Sequence, residues 1–374
     1  MSTSATKTTA AAEWQTYLDT ELPRVRELIG ARGFSLDTAQ PHLIGERFLM
    51  QAMTTAGGRK LILLGTEATT GRRVVIKATR DQAGRAEILH ERTCRSALHD
   101  IPFAYDVFQS PPELACVTEA DTTIVINAYI DQPCSFLERP LPEQFSYALR
   151  ALTAQAAARA TTHGHLRHIR RTFGRTTAAD YRNFFATFAD TIATRAQCPD
   201  TVRTRIAAAG ERLTAAHTRI EQYGDFLTHT DFVPHNFRIG TDGLLYLLDF
   251  SSLRFGNKHE GWARFLNFMT LYNRDLEAAL ITYVEDNRAP EERESLQLMR
   301  IYRLGEIIAY YVRATAQSTD ALHELNRTRV DFWSEVLAAE LENTRVPTAV
   351  VTAYTTKRDA LRSEDEKRRQ QGLH

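Results

Sequence analysis

The stretch Phe226–Phe250, FLTHTDFVPHNFRIGTDGLLYLLDF, decides how this chain is read. Asp231 follows His229 and Thr230, Asn236 closes the same loop, and Asp249 ends the apolar run Leu244–Leu248. An acid at the end of a buried strand is costly unless it is paired or bound to metal. Between the amide and this second acid lies Asp242-Gly243, a hairpin signal, so a tight hairpin returns Asp249 beside Asn236. Two acids and an amide in this order suit phosphoryl transfer from a magnesium nucleotide. One acid orients a hydroxyl, while the amide and the other acid hold metal against phosphate. His229 is expected to orient the loop backbone and not to act as the base, because Asp231 is better placed for that role.

Upstream, the pattern is short apolar runs with turn residues between them: Phe48–Met50, Leu61–Leu64, Val74–Ile76 and two strands within Ala115–Tyr129, joined by Asp121–Thr123. This reads as an antiparallel meander, interrupted by a helix over Arg85–Leu98. Lys77 ends the run VVIK and needs an anion near the cleft, either phosphate oxygens or a carboxylate. Glu87 and Glu91 share one face of the following helix, and either can pair with it. Before the meander, Trp14–Ile29 has a helical period, with Pro23 expected to kink it or start a second helix. After Pro142 helical patterns dominate: Gln144–His163, a stripe of Tyr181, Phe184, Phe185, Phe188 and Ile192, then Thr201–Gln222. Helices resume at about 259–286, 291–316 and 321–343. The tail beyond Arg345 ends in SEDEKRRQQGLH and is expected to be a frayed helix or disordered.

Composition narrows the class. A chain of 374 residues has room for two lobes. Lys plus Arg and Asp plus Glu number 46 each, so there is no basic excess of the kind a nucleic-acid binder carries. The run His163–Arg175 (HGHLRHIRRTFGR) is a local basic patch and reads as a solvated loop. Cys94, Cys116, Cys134 and Cys198 have no Cys-x-x-Cys spacing, which suits reduced, structural thiols in a cytoplasmic protein. No apolar run approaches the ~18 residues of a membrane span. The polar start MSTSATKTTAAAEW lacks the apolar core of a secretory signal and is expected to be disordered.

Taken together, Lys77, Glu91, His229-x-Asp231, Asn236 and Asp249 resemble the protein-kinase-like superfamily, in its aminoglycoside phosphotransferase and choline kinase branch. That branch reads His-Gly-Asp-x-x-x-x-Asn, then an apolar strand ending Ile-Asp-Phe or Ile-Asp-Trp; this chain has HTDFVPHN and LLDF. The resemblance spans about 41–343. It implies an α+β, bilobal protein-kinase-like fold, with a small antiparallel β-sheet lobe and a larger, mainly helical lobe. The implied divisions are an N-terminal extension (1–40), a nucleotide-binding lobe (41–130), a helical catalytic and substrate lobe (131–345) and a charged tail (346–374).

The resemblance further implies ATP and Mg2+ as cofactors and a small-molecule alcohol as acceptor, with no nucleic acid or membrane partner. By it, Asp231 is the catalytic base, and Asn236 and Asp249 hold two magnesium ions. Lys77 contacts the α- and β-phosphates, paired with Glu91 in preference to Glu87. Thr55, Gly57 and Gly58 lie in the phosphate-covering loop. The carbonyl of Ala128 and the N–H of Ile130 meet the adenine edge, with Asn127 as gatekeeper. Three departures stand out: no Gly-x-Gly-x-x-Gly, Thr230 in place of glycine, and FGNKHEGWARF where the branch has Gly-Asp-Pro-x-x-Asp. Glu260 and Asn257 are the candidates to replace that late aspartate. For the acceptor, Glu260, Asp275, Glu285 and Asp286 are candidate acids for a cation, and Trp262, Phe265 and Tyr272 a candidate aromatic wall. A catalytically inactive nucleotide-binding protein and a protein kinase-like enzyme are the competing readings. The second lacks an Ala-Pro-Glu element.

Overall fold

Alternation along one strand shows how the N-terminal half assembles. The computed structural model describes residues 3–38, 40, 59–100, 109–119, 121–157, 163–195, 198–362 and 367. In it β1 (Phe34–Leu36), β2 (Leu61–Glu67), β3 (Arg73–Thr79), β4 (Glu113–Glu119) and β5 (Thr122–Ala128) form an antiparallel sheet in the order β1-β2-β3-β5-β4. On β3, Val74, Ile76 and Ala78 are buried while Val75 and Lys77 are half-buried. Register places Ile76 against Leu63 and Ile126, and Lys77 against Ile62 and Val125. Because side chains alternate across a sheet, one face carries the buried apolar residues Leu63, Ile76 and Ile126 and the other carries Lys77.

The apolar face packs under α1 (Thr3–Gly30) through Leu18, Val25 and Ile29. Burying each such side chain contributes about 1.5–3 kcal/mol. α1 therefore covers the back of the small lobe, away from the Lys77 face. Two expectations change here. The polar start is helical from Thr3, in an Ala-rich segment without a breaker before Pro23. The helix also continues through Pro23: anchors on both sides of it, Leu18 and Val25, hold the axis on the sheet where one hydrogen bond is missing.

On the other face lies α2 (Gln82–Asp100). The β4–β5 turn is tighter than expected, with Asp121 alone at φ 68° and β5 already under way at Thr122. The second half begins with α3 (Leu141–Ala157), α4 (His163–Phe173), α5 (Ala178–Ala193), α6 (Asp200–Ala215) and α7 (His217–Gln222). Four short strands follow: β6 (Phe226–His229), β7 (Phe237–Ile239), β8 (Leu245–Leu247) and β9 (Leu253–Gly256). Then come α8 (Glu260–Tyr272), α9 (Arg274–Asn287), α10 (Pro290–Gln317), α11 (Asp320–Leu341) and α12 (Thr348–Leu361).

The expected long helix 259–286 divides at Asn273, whose side-chain oxygen accepts from Leu276 N–H and caps α9. The basic run 163–175 is mostly α4 and not a loop, and Arg170 and Arg175 both pair with Asp225. Part of the tail is a packed helix, because Tyr354 of α12 stacks on Phe332 at 4.2 Å. All four cysteines are free. Among the described residues no helix is long and apolar enough to cross a membrane.

Candidate active site

The loop that carries the acids is held by backbone bonds from both of its flanking strand pairs. β6 pairs with β9, and β7 with β8 in a hairpin turned at Gly243, φ 74°. Leu248 N–H donates to Asn236 O at 2.7 Å, which brings the end of the hairpin back to the loop. His229 is fully buried, and its Nε2 lies 3.0 Å from Leu248 O and 3.1 Å from Asp249 O. A proton on Nε2 serves both carbonyls. His229 thus orients backbone, as expected. Thr230 fits without special backbone angles: its N–H and its hydroxyl each donate to Ser252 O at 2.9 Å.

Asp231 has its two oxygens turned to different partners. Oδ2 accepts from Asn236 Nδ2 at 2.8 Å, and Oδ1 accepts from Arg264 Nε at 2.8 Å. Burial raises the carboxyl pKa. The surrounding positive groups, Arg264 first and then Arg303, His235 and His229, outweigh burial and hold it well below the usual carboxylate range. Asp231 is therefore an ionised, oriented acceptor. Asp249 sits in the left-handed region at φ 56°, ψ 59°, a conformation that Asp tolerates better than most residues. Its Oδ1 accepts from Ser251 Oγ at 2.5 Å and its Oδ2 from Ser252 Oγ at 2.8 Å.

From the small lobe, Lys77 Nζ meets Glu91 Oε2 at 2.7 Å, with Glu91 buried on α2. Glu87 pairs with Lys60 instead, so the choice left open in the sequence falls to Glu91. Cys94 and Ala97 of α2 belong to the same buried cluster as Phe250, which carries the helix toward the Asp249 segment. Asn127 lies on the Lys77 face of the sheet, and its Oδ1 accepts from Arg95 Nη1 at 2.9 Å. Beyond it, the N–H groups of Ala128 and Tyr129 are taken by Pro112 O and Arg73 O. Thr55, Gly57 and Gly58 lie outside the described residues.

Other expectations are corrected. Neither Glu260 nor Asn257 reaches the loop. Glu260 is buried against Tyr181 (2.7 Å) and Arg303 (3.3 Å), and the Asn257 amide bonds to Ile220 O and Ser295. The brace is instead the start of α8, where Gly261 N–H donates to Thr228 Oγ1. A Cβ at Gly261 would sit 3.1 Å from His229 O, closer than ordinary packing. Trp262 and Phe265 are core residues and form no open wall. Arg264 is the site residue that sequence reasoning missed. Its only signal was helical position, one turn past Glu260.

The donor set fits magnesium bound together with a nucleotide. With Nδ2 committed to Asp231, Asn236 keeps Oδ1 as an acceptor without a protein partner among the described residues. Each Asp249 oxygen accepts one hydroxyl and keeps a second lone pair. Among the described residues no cluster of three His, Cys, Asp or Glu can hold a metal by itself. That matches an ion that takes one or two carboxylates and completes its shell with phosphate oxygens and water.

No family model and no curated protein sequence matches the chain. Solved structures do match. A thermostable mutant of aminoglycoside phosphotransferase APH(4)-Ia has TM-score 0.53 and 15% identity, over 76% of this chain and 94% of that one. A further variant of that thermostable mutant is solved in a ternary complex with ADP and hygromycin B. Macrolide 2'-phosphotransferase type I has TM-score 0.53 and 15% identity, over 83% and 96%. The GDP and kanamycin complex of APH(2")-IIia has TM-score 0.52 and 11% identity, over 76% and 93%. The chain thus has the bilobal α+β fold of the protein-kinase-like superfamily, in the form found in these aminoglycoside and macrolide phosphotransferases.

Proposed function

We propose that the protein transfers the γ-phosphoryl group of ATP to a hydroxyl of a small molecule. The observation that carries this reading is the knot of Asp231, Asn236 and Asp249, tied by the Asn236 amide and by Leu248 N–H. In it Asp231 accepts the hydroxyl of the acceptor and orients the oxygen in line with the γ-phosphorus. A strongly acidic carboxylate is a weak base, which suffices because the transition state is loose and needs orientation more than proton abstraction. Lys77, held by Glu91, contacts the α- and β-phosphates. Asn236 Oδ1 and Asp249 would hold magnesium, which when bound would draw charge from the phosphate oxygens. The Ala128 carbonyl and Ile130 N–H meet the adenine edge, and Thr55, Gly57 and Gly58 cover the phosphates.

The reading is tested by Mg-ATP turnover against a panel of alcohols. Asp231→Ala is expected to abolish turnover and to leave the Mg-ATP melting shift in place. Near-full turnover by Asp231→Ala would sink the assignment. One observation favours a nucleotide-binding protein without turnover: Arg264 occupies the outer oxygen of Asp231. That reading expects a melting shift with Mg-ATP and no ATP consumption with any acceptor.

A further inference from the structure

Resting on the phosphotransferase reading above, we infer that the acceptor carries an anionic group, a carboxylate or a phosphate, beside the hydroxyl that is phosphorylated, and that Arg264 binds it. The two oxygens of Asp231 divide the site. Oδ2 faces Asn236, which Leu248 N–H ties to the Asp249 strand, so that edge belongs to nucleotide and metal. Oδ1 faces Arg264 on α8, the opposite edge. There Arg264 spends only its Nε. Its Nη1 and Nη2 have no protein partner among the described residues and are not sealed from solvent. A guanidinium offers five donors, and its terminal fork matches the paired oxygens of carboxylate or phosphate.

The surroundings agree in sign. From Arg264 the same face of α8 continues one turn at a time to Phe268 and Tyr272, which stack at 4.3 Å. His235, next to Asn236, lies 6.1 Å from the Phe268 ring. Phe268 is itself buried, so these rings pack behind the cation at the reacting end and leave it as the charged feature of this edge. The acids that a polycationic acceptor needs do not assemble. Glu260 is buried under Tyr181 and Arg303, and Glu277 under Arg300. Asp275 stands in the first turn of α9 and Glu285 and Asp286 in its last, about 15 Å apart at 1.5 Å per residue. An ammonium group at the reacting end would face Arg264 directly.

In the reaction the acceptor oxygen bonds to the γ-phosphorus as that atom's bond to the bridging oxygen breaks. ADP leaves with the electron pair, and the hydroxyl proton passes to Asp231 and on to water. The anion of the acceptor draws the Arg264 fork, which places the hydroxyl at Asp231.

The test is ADP release with matched acceptors: glycerate, glyceramide and 3-amino-1,2-propanediol, then a sugar phosphate against the free sugar, then aminoglycosides. The anionic member of each set is expected to exceed its neutral partner in kcat/KM by at least about tenfold, as removal of one charged hydrogen-bond partner predicts. Arg264→Gln should slow both acceptors, because Arg264 also holds Asp231, and should erase that ratio by raising KM for the anion alone. Neutral or cationic acceptors used as well as anionic ones would overturn the inference. So would an equal loss on both classes, which marks Arg264 as a brace for Asp231. Weakened Mg-ATP binding with intact Mg-ADP binding would overturn it too, since the fork would then belong to the γ-phosphoryl group. If Arg264→Gln does not fold, the anion-to-neutral ratio of the unaltered protein decides. Mg-ATP binding without turnover of any acceptor would instead sink the phosphotransferase reading itself.

Discussion

Replacing Arg300 by Met should unfold the large lobe more readily than any surface change, and by an amount that depends on pH. Arg300 is buried on α10 and ties three other helices together. Its Nε donates to Asn267 at 2.9 Å, its Nη2 to Thr270 at 3.1 Å and Glu277 at 2.7 Å, and its Nη1 meets Glu340 at 2.8 Å. Side-chain exposure is 5% for Arg300, 4% for Glu277 and 11% for Glu340, so solvent screens little of this. Removing the cation strands two buried carboxylates, a loss of about 3–5 kcal/mol. Arg345, 3.6 Å from Glu277 but half exposed, offsets little of it.

The pH dependence follows from Glu340. Burial pushes its pKa up from 4.5 to about 6 even with Arg300 beside it. Its folded value lies above its unfolded one, so its contribution to stability is complete below about pH 4.5 and is lost as pH rises through about 6. Without Arg300 the group rises further, so the deficit of the variant should be smaller at pH 5 than at pH 8. Urea unfolding at both pH values measures this. Arg300→Met combined with Glu277→Leu and Glu340→Leu should recover much of the loss. A deficit under about 1 kcal/mol at pH 8 would refute a buried charge network here, well below the several kcal/mol that stranded buried ions cost. So would one that does not change with pH.

Gly305→Ala should cost about 1–3 kcal/mol in urea midpoint, because the new methyl enters the space of the Phe185 ring. Lys77→Met should cost about 1–3 kcal/mol by stranding Glu91, and should lower ATP turnover at least tenfold. Adding Glu91→Leu should restore stability and not turnover, and restored turnover would remove Lys77 from the chemistry. Burial depresses the pKa of His259 from 6.5 to about 4. Its folded value lies below its unfolded one, so stability should be intact above pH 6.5 and fall as pH drops toward 4, a slope that His259→Asn should flatten in the melting curve.

The candidate site was legible where residue type and spacing coincide. His229, Asp231, Asn236 and Asp249 sit in one stretch of sequence, and the Asp242-Gly243 hairpin that joins them is local. Lys77 and Glu91 were legible only as a pair of alternatives, since Glu87 lies on the same helical face and only the register of β3 against α2 separates the two. Arg264 could not be found this way. It reaches Asp231 because Gly261 lets the start of α8 press against the loop, a contact between segments far apart in sequence. The α1 dock was equally hidden, because its anchors Leu18, Val25 and Ile29 give no sign of which surface they meet. Pro23 pointed to a break that tertiary packing overrides.

The sheet with two unlike faces has a consequence for how the gene tolerates change. Along β3 the even positions Val74, Ile76 and Ala78 belong to the cluster packed under α1, and the odd positions Val75 and Lys77 lie on the opposite face. A saturation library of this strand should therefore split by parity. Even-numbered hits should lower soluble yield and leave specific activity per folded molecule intact, whereas hits at Lys77 should lower specific activity beyond the stability lost with its Glu91 partner. Two selection pressures thus act on one strand through separate residues, so the covering helix and the opposite face are free to diverge independently.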